Sequence, residues 1–426
     1  MLKIYQTLTI ILSPLIRFYL IRRRWRGKED LTRFNERIGI SKLQRPNGRL
    51  VWVHAASVGE SISVLPLIKL LGEKYQDVNF LITSGTVTSA KLVENNMPNR
   101  AIHQYVPVDV LPYVKRFLKC WQPNLAIFVE SEIWPNLITQ TAKYCSLIMV
   151  NGHISSKSFN SWNKNKELAR DVFSMFSLCL TQSQVDLQRL VALGAKNVKC
   201  VGNIKYDSPA QTADPTKMAE ISAQIGNRTL WVAASTHKED DTCEEKIVAI
   251  THIELKEKHP DILTIIVPRH PSRKDEILAE LLPLGLNIAV RSHGDVIDNN
   301  TDIYLADTLG ELGLFYRLAK IVFVGGSLVK RGGHNPLEPA RLECAIIVGV
   351  YTFNFMEIMQ EFNEKNAALV VSSQQDLVIA INNLLADQQK ISQLANSALK
   401  LVSEKTGIIN KVIEEISPHM ENNNAA

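Results

Sequence analysis

Fourteen short apolar, β-branched runs recur along this chain of 426 residues, and that rhythm restricts the fold more than any other feature. Seven fall in the first half, over 50–54, 79–83, 102–106, 125–129, 147–150, 177–181 and 198–201. Seven follow in the second half, over 230–234, 263–267, 287–290, 302–305, 321–324, 345–348 and 368–371. Helix-length stretches separate most of them, which is the pattern of parallel strands joined by crossover helices. Two such series predict two doubly wound α/β domains. The polar, proline-containing stretch 207–215 is the best boundary. The reading is a membrane anchor over 1–26, one Rossmann-like domain over 27–206, and a second over 207–426 that carries the C-terminal helices. The polar tail 421–426 is expected to fray. Ligands of such sheets bind beyond the carboxyl ends of the strands. The chemistry is therefore expected in the loops that follow the strands, with the two domains facing a cleft.

The net charge of +5 is informative once located. Seven basic residues among the first thirty, with only Glu29 and Asp30 against them, account for the whole excess. A nucleic-acid binder is expected to spread a basic face over its folded body, so that class is excluded. The basic cluster Arg22–Arg24, Arg26 and Lys28 follows an apolar segment, 4–21, broken by Pro14 and Arg17. Its apolar part is shorter than the roughly 20 residues of a spanning helix. A tilted signal anchor, an in-plane amphipathic helix and a core helix all remain open. Either membrane reading keeps the body on the cytoplasmic side by charge bias and attracts anionic lipid. The six cysteines have neither metal nor redox spacing and read as buried free thiols.

In the first half, strand 50–54 runs into Ala55-Ala-Ser-Val-Gly-Glu60 and then a helix. Ser57-x-x-Glu60 reads equally as a capping box or as a helix start that presents Glu60 as a general base. Strand 125–129 ends in Glu130-Ser-Glu-Ile-Trp-Pro-Asn136, where Glu130 and Glu132 share a face if the chain stays extended. Paired acids raise a pKa or fix a cation. A solvated acidic loop is the plain alternative. Lys205, in Gly202-Asn-Ile-Lys205, reads as a fixed ammonium for phosphate charge or as an exposed linker lysine.

In the second half, Arg269 follows a strand and can grip phosphate or carboxylate as a fork. Asp307-Thr-Leu-Gly-Glu-Leu312 reads as a helix start. The stretch from Val324 to Ala340 carries two Gly-Gly pairs between a strand and a helix. Its Gly325, Gly326 and Ser327 make a candidate phosphate loop. Asn335-Pro336 opens the helix and Glu338 is placed to accept from ribose hydroxyls. The Walker Lys-Ser/Thr ending is missing, which disfavours a P-loop NTPase. No Asp-x-Asp triplet and no His/Cys/Asp cluster has metal-ligand spacing, so neither metal nor cofactor is expected.

Taken together, these strings resemble the 3-deoxy-manno-octulosonic acid (Kdo) transferases that glycosylate lipid A. The match runs from Val51-Trp-Val-His-Ala-Ala-Ser-Val-Gly-Glu60 and Glu130-Ser-Glu-Ile-Trp-Pro-Asn136 through Asn151-Gly-His-Ile-Ser155, Gly202-Asn-Ile-Lys205 and Pro268-Arg-His-Pro271. It ends in Gly325-Gly-Ser327 and Gly333-His-Asn-Pro-Leu-Glu-Pro-Ala340. The resemblance implies the GT-B fold, with an acceptor-binding first domain and a CMP-Kdo-binding second domain. It implies metal-independent, inverting transfer of Kdo from CMP-Kdo to a lipid A precursor at the inner membrane. By it Glu60 is the base, and Glu130 and Lys205 stabilise the transition state. CMP lies against Pro268, Arg269, Leu309, Gly310, Glu311, Asn335, Pro336, Leu337 and Glu338. Domain closure is expected to exclude water. One departure stands out: where the family has Gly-Pro, this chain has Gly349-Val350, so a looser loop is expected there. The rival readings are a nucleotide-sugar epimerase, another transferase of this fold, and a catalytically silent membrane-bound sugar-nucleotide binder.

Overall fold

The computed structural model describes residues 1–421, and the rest of the predicted tail lies outside them. The chain divides into two compact units. The first comprises residues 1–208 and the chain from Thr406 onward; the second spans Pro209–Lys405.

In the first unit the strands are β1 (Arg49–His54), β2 (Val78–Ser84), β3 (Ala101–Tyr105), β4 (Leu125–Val129), β5 (Ser146–Gly152), β6 (Leu178–Thr181) and β7 (Val198–Cys200). They form one parallel sheet in the order β3-β2-β1-β4-β5-β6-β7. Chain order reverses at β1 and β4, so the loops after those two strands flank the crevice where ligands of doubly wound sheets bind. The strands are apolar on both faces because helices cover both. Trp52 anchors one side, with its ring edge-on to Phe128 at 5.0 Å and its indole N–H bonded to Thr83 Oγ1 at 2.8 Å.

The second unit adds β8 (Leu230–Thr236), a small antiparallel ladder of β9 (Lys238–Glu239) and β10 (Thr242–Cys243), then β11 (Leu263–Pro268), β12 (Ile288–Val290), β13 (Ile303–Leu305), β14 (Ile321–Val324), β15 (Ala345–Gly349) and β16 (Leu369–Val371). Its large sheet is parallel, in the order β12-β13-β11-β8-β14-β15-β16. The reversal falls at β8 and β14. All fourteen runs read from the sequence are strands; the ladder was missed, because two-residue strands leave no periodicity to read.

Two expectations need correction. The second domain does not run from 207 to the end. Helix Ile408–Glu421 buries Ile409, Val412, Ile416 and Met420 within the first unit. The Asp207 carboxylate receives the amide of Gly407 at 2.7 Å and also that of Ile409, and Lys199 pairs with Glu415 at 2.6 Å. The apolar stripe of this helix was legible, but not the surface it covers. Nor is the loop after Gly349 loose. Ser327 accepts the Tyr351 amide at 2.9 Å and its hydroxyl receives the Gly349 amide at 2.8 Å. A Cβ at Gly349 would lie 2.1 Å from the Ser327 carbonyl oxygen.

At the N-terminus, helices Leu2–Ile11 and Ser13–Trp25 meet at 60°. Among the described residues no single helix is long and apolar enough to cross a membrane, although this bent pair has the combined length and composition. Ile4, Leu8, Ile11, Leu15, Phe18 and Trp25 are exposed on them. Tyr5 donates its hydroxyl to Asp109 at 2.8 Å, which holds the first helix against the body of its unit.

Candidate active site

Ser57 caps helix Val58–Lys74 by accepting the Glu60 amide at 3.3 Å. The Glu60 carboxylate turns back and receives the Ala56 amide at 2.8 Å and the Ser57 hydroxyl at 2.7 Å. The capping reading is therefore realised. The base reading survives it, because the same carboxylate lines a cavity of about 330 Å³ in the first unit. Arg37, Asp109 and Glu132 join it there, beside apolar Val106, Val108, Trp134 and Leu137. Burial pushes the Glu60 carboxyl above its ordinary value, the charges of Glu130 and Glu132 push it further, and the two cap hydrogen bonds oppose them without prevailing.

The two acids after β4 part company. β4 ends at Val129, and Glu130 takes a left-handed backbone, φ 57°. Alternation along the chain stops there, so Glu130 and Glu132 do not share a strand face. Glu130 meets Lys205 Nζ at 2.7 Å and receives the Asn151 side-chain amide at 3.3 Å. Asn151, also left-handed at φ 56°, in turn accepts the Ile204 amide at 3.0 Å. One asparagine thus aligns both halves of the ion pair. Lys205, about four-fifths buried, is not an exposed linker residue. Glu132 instead receives the Trp134 indole N–H at 2.7 Å and lies 3.4 Å from His54 Nε2. Burial raises its carboxyl, but His54 and Trp134 outweigh that and the net shift is downward. Asn151 and His54 lie inside the resembling strings, yet only the fold gives them partners.

In the second unit Pro268 ends β11, and the Arg269 amide binds the Thr236 carbonyl at 3.1 Å. The Arg269 guanidinium has no hydrogen bond or ion pair within the second unit. Just before the short helix Leu337–Arg341, whose N-cap position is Pro336, Asn335 Oδ1 accepts the Leu337 amide at 3.1 Å. Pro336 and Leu337 are buried. Glu338 receives the Gln211 side-chain amide at 2.7 Å, and burial lifts its carboxyl to about 7. Leu309 is 80% exposed, and Gly310 turns through φ 81° beside it. The Glu311 carboxylate is engaged by Arg291, at 2.9 and 3.0 Å, and by Lys217 at 2.8 Å; Arg291 above all draws it down to about 2. Only the backbone of Glu311 remains to meet a ligand.

The phosphate loop expected at Gly325, Gly326 and Ser327 is corrected by its occupant. Buried Glu244 receives the amides of Gly326 at 2.6 Å, Ser327 at 3.0 Å and Leu328 at 2.9 Å, while the Gly325 amide binds the Ala234 carbonyl at 2.7 Å. The nest is real, but an internal carboxylate fills it. Glu244 opens a helix far from this loop in sequence and carried no signal. The six cysteines are free.

A family described as 3-Deoxy-D-manno-octulosonic-acid transferase (kdotransferase) matches residues 32–208. A 3-deoxy-D-manno-octulosonic acid transferase of Rickettsia bellii (strain RML369-C) is 35% identical over 419 residues, 98% of this chain and 99% of that protein. The crystal structure of UDP-GlcNAc 2-epimerase from Neisseria meningitidis bound to UDP-GlcNAc is similar at TM-score 0.58 and 13% identity, over 86% of this chain and 100% of that one. A glycosyltransferase from Rickettsia africae ESF-5 is similar at TM-score 0.57 and 13% identity, over 88% of this chain and 100% of that one. The two structures share the fold with this chain and, at such identity, nothing finer, so shape alone does not choose between epimerisation and transfer. The full-length relative does: the chain belongs to the 3-deoxy-D-manno-octulosonic acid transferase family and is a glycosyltransferase.

Proposed function

We propose that the chain transfers Kdo from CMP-Kdo to a lipid A precursor by a single inverting displacement with Glu60 as general base. The observation that carries the reading is the Glu60 carboxylate itself: nine-tenths buried, raised in pKa, and aimed into a cavity with both polar and apolar walls. A base works best when its pKa approaches the operating pH, and burial beside two acids moves a glutamate that way. The mixed wall suits an acceptor that is part sugar and part lipid. In the displacement, an acceptor hydroxyl gives its proton to Glu60, its oxygen bonds the anomeric carbon, and the anomeric bond to CMP breaks with the electron pair leaving on CMP.

Lys205, held by Glu130, is the cation that meets the charge developing in the transition state. CMP is assigned to Pro268, Arg269, the turn at Leu309, Gly310 and Glu311, and the segment from Asn335 to Glu338. The Arg269 guanidinium, without a hydrogen bond or ion pair in its unit, and the half-buried Glu338 support that assignment. No metal is assigned, in keeping with a sequence that has no Asp-x-Asp triplet. The exposed apolar side chains of the first two helices and the arginines beside them support a seat at the cytoplasmic face of a bacterial inner membrane, and their 60° bend favours lying in its plane.

The test is to incubate the detergent-purified protein with CMP-Kdo and a tetraacylated lipid A precursor, beside Glu60→Ala, and weigh the lipid. A gain of one or more Kdo masses is expected, with the variant slower by about 10²–10⁴-fold. No gain from the wild type, with CMP still bound, sinks the acceptor assignment. An active variant returns Glu60 to its capping role.

A further inference from the structure

Three histidines distant in sequence meet at the carboxyl edge of the second unit's sheet. The His237 ring stacks on that of His334, with centroids 5.1 Å apart and planes 7° from parallel. The His270 ring stands edge-on to His237 at 5.2 Å. The segments that carry them leave β8, β11 and β14, and the reversal of strand order at β8 and β14 marks the crevice of this sheet.

Backbone contacts lace the three segments together. Glu244 grips His237 twice, receiving its amide at 2.9 Å and donating its own amide to the His237 carbonyl at 2.9 Å. The carboxylate oxygen that takes the His237 amide also takes that of Gly326. The Gly326 carbonyl holds the Gly333 amide at 2.7 Å, beside His334, and the Thr236 carbonyl holds Arg269, beside His270. Gly326 adopts φ 67°, and a Cβ there would lie 3.0 Å from the His334 ring and 3.4 Å from that of His237. Ser235, which opens the His237 segment, is itself held at φ 57°, a conformation costly for a residue with a side chain.

Burial and the basic neighbours hold all three imidazoles below their ordinary pKa, so the platform offers neutral ring N–H donors beside the Arg269 guanidinium. Within the second unit none of His237, His270, His334 or Arg269 makes a side-chain hydrogen bond or ion pair. The groups that disfavour a charge on His237, after burial itself, are His334, His270, Arg331 and Arg269, all basic. Of the nearby acids, Glu244 is engaged by backbone amides, Glu239 by Arg331 and Glu245 by Arg273, while Glu338, bonded to the Gln211 side chain, is the one that feels the Arg269 charge. Four unmatched donors on a braced crevice wall suit a small, highly charged oxyanion.

We infer that His237, stacked on His334 beside Arg269, is the subsite for the phosphate of the nucleotide donor, its ring N–H donating to a phosphate oxygen. Glu244 is the positioning residue that holds it, occupying the neighbouring amide nest so that the phosphate meets side chains rather than a glycine loop. The inference rests on the proposed cytidine nucleotide for the identity of the base, but not for the phosphate contact.

The test compares the binding of CMP and cytidine by calorimetry to the full-length protein in detergent, for the wild type, His237→Leu and His237→Gln. The wild type is expected to prefer CMP. His237→Leu should lose about ten- to a hundredfold in CMP affinity, the worth of a hydrogen bond to a charged group, and keep its cytidine affinity. His237→Gln, which retains an N–H donor, should recover part of the loss. An unchanged ratio of CMP to cytidine affinity in both variants, at wild-type melting temperature, overturns the inference, and so does a wild type without preference. If the leucine variant does not fold, the same ratio in His237→Gln and His334→Gln decides. Should the wild type bind UMP over uridine but neither CMP nor cytidine, the donor reading fails and the uridine pair judges His237 alone.

Discussion

The Lys205–Glu130 pair offers the sharpest separation of scaffold from catalysis. Its atoms lie 2.7 Å apart, and the two side chains are 18% and 17% exposed. Breaking a fully buried pair by removing one partner costs about 3–5 kcal/mol, whereas an exposed pair is worth about 0–1 kcal/mol. With roughly a fifth of each side chain reaching solvent, Lys205→Met should cost about 2–3 kcal/mol. It leaves Glu130 in a left-handed backbone without its cation. The double variant Glu130→Gln, Lys205→Met removes the stranded charge and should regain most of that stability. Activity should behave differently. If Lys205 meets transition-state charge, both the single and the double variant stay about 10²–10³-fold below wild type, because neutralising Glu130 does not replace the cation. Thermal melts give the stability cycle, and initial rates of lipid product give the other. A double variant that recovers both stability and rate would refute the catalytic role and leave the pair as architecture.

The acid limb of the rate profile should lie above the ordinary glutamate range, since Glu60 must be ionised to act and burial with two neighbouring acids holds its proton on; activity rises as pH climbs through that raised value. Glu132→Gln removes one of those charges and should move the limb toward lower pH, whereas an unmoved limb in kcat/KM would take Glu132 out of the electrostatics. Gly349→Ala should destabilise the second unit by about 1–3 kcal/mol or more, since the new Cβ would sit 2.1 Å from the Ser327 carbonyl oxygen, which calorimetry would register. Ile416→Ala should cost about 2–5 kcal/mol and lower the melting of the first unit only, which limited proteolysis can localise; loss confined to the second unit would contradict the placement of the last helix.

Much of this protein is legible in its sequence. The fourteen strands announced themselves because a buried parallel strand is apolar on both faces and leaves an unbroken β-branched run. The ambiguity at Glu60 was visible too, since Ser57 and Glu60 stand at capping distance in the sequence. The motifs carried the family. What sequence could not supply were relations between distant segments. The last helix showed its apolar stripe, but a stripe does not name its partner, and it folds back on the first unit through Asp207. Glu130 and Glu132 looked like a pair, yet a single left-handed residue ended the strand and sent them to different partners. The glycine loop promised an anion site, and only the fold revealed that Glu244, from a helix some eighty residues earlier, already fills it. The cluster of three histidines was invisible for the same reason. Local pattern fixes local conformation through sterics and periodicity, whereas charge pairing, burial and the occupant of a nest depend on which segments tertiary packing brings within a few ångströms.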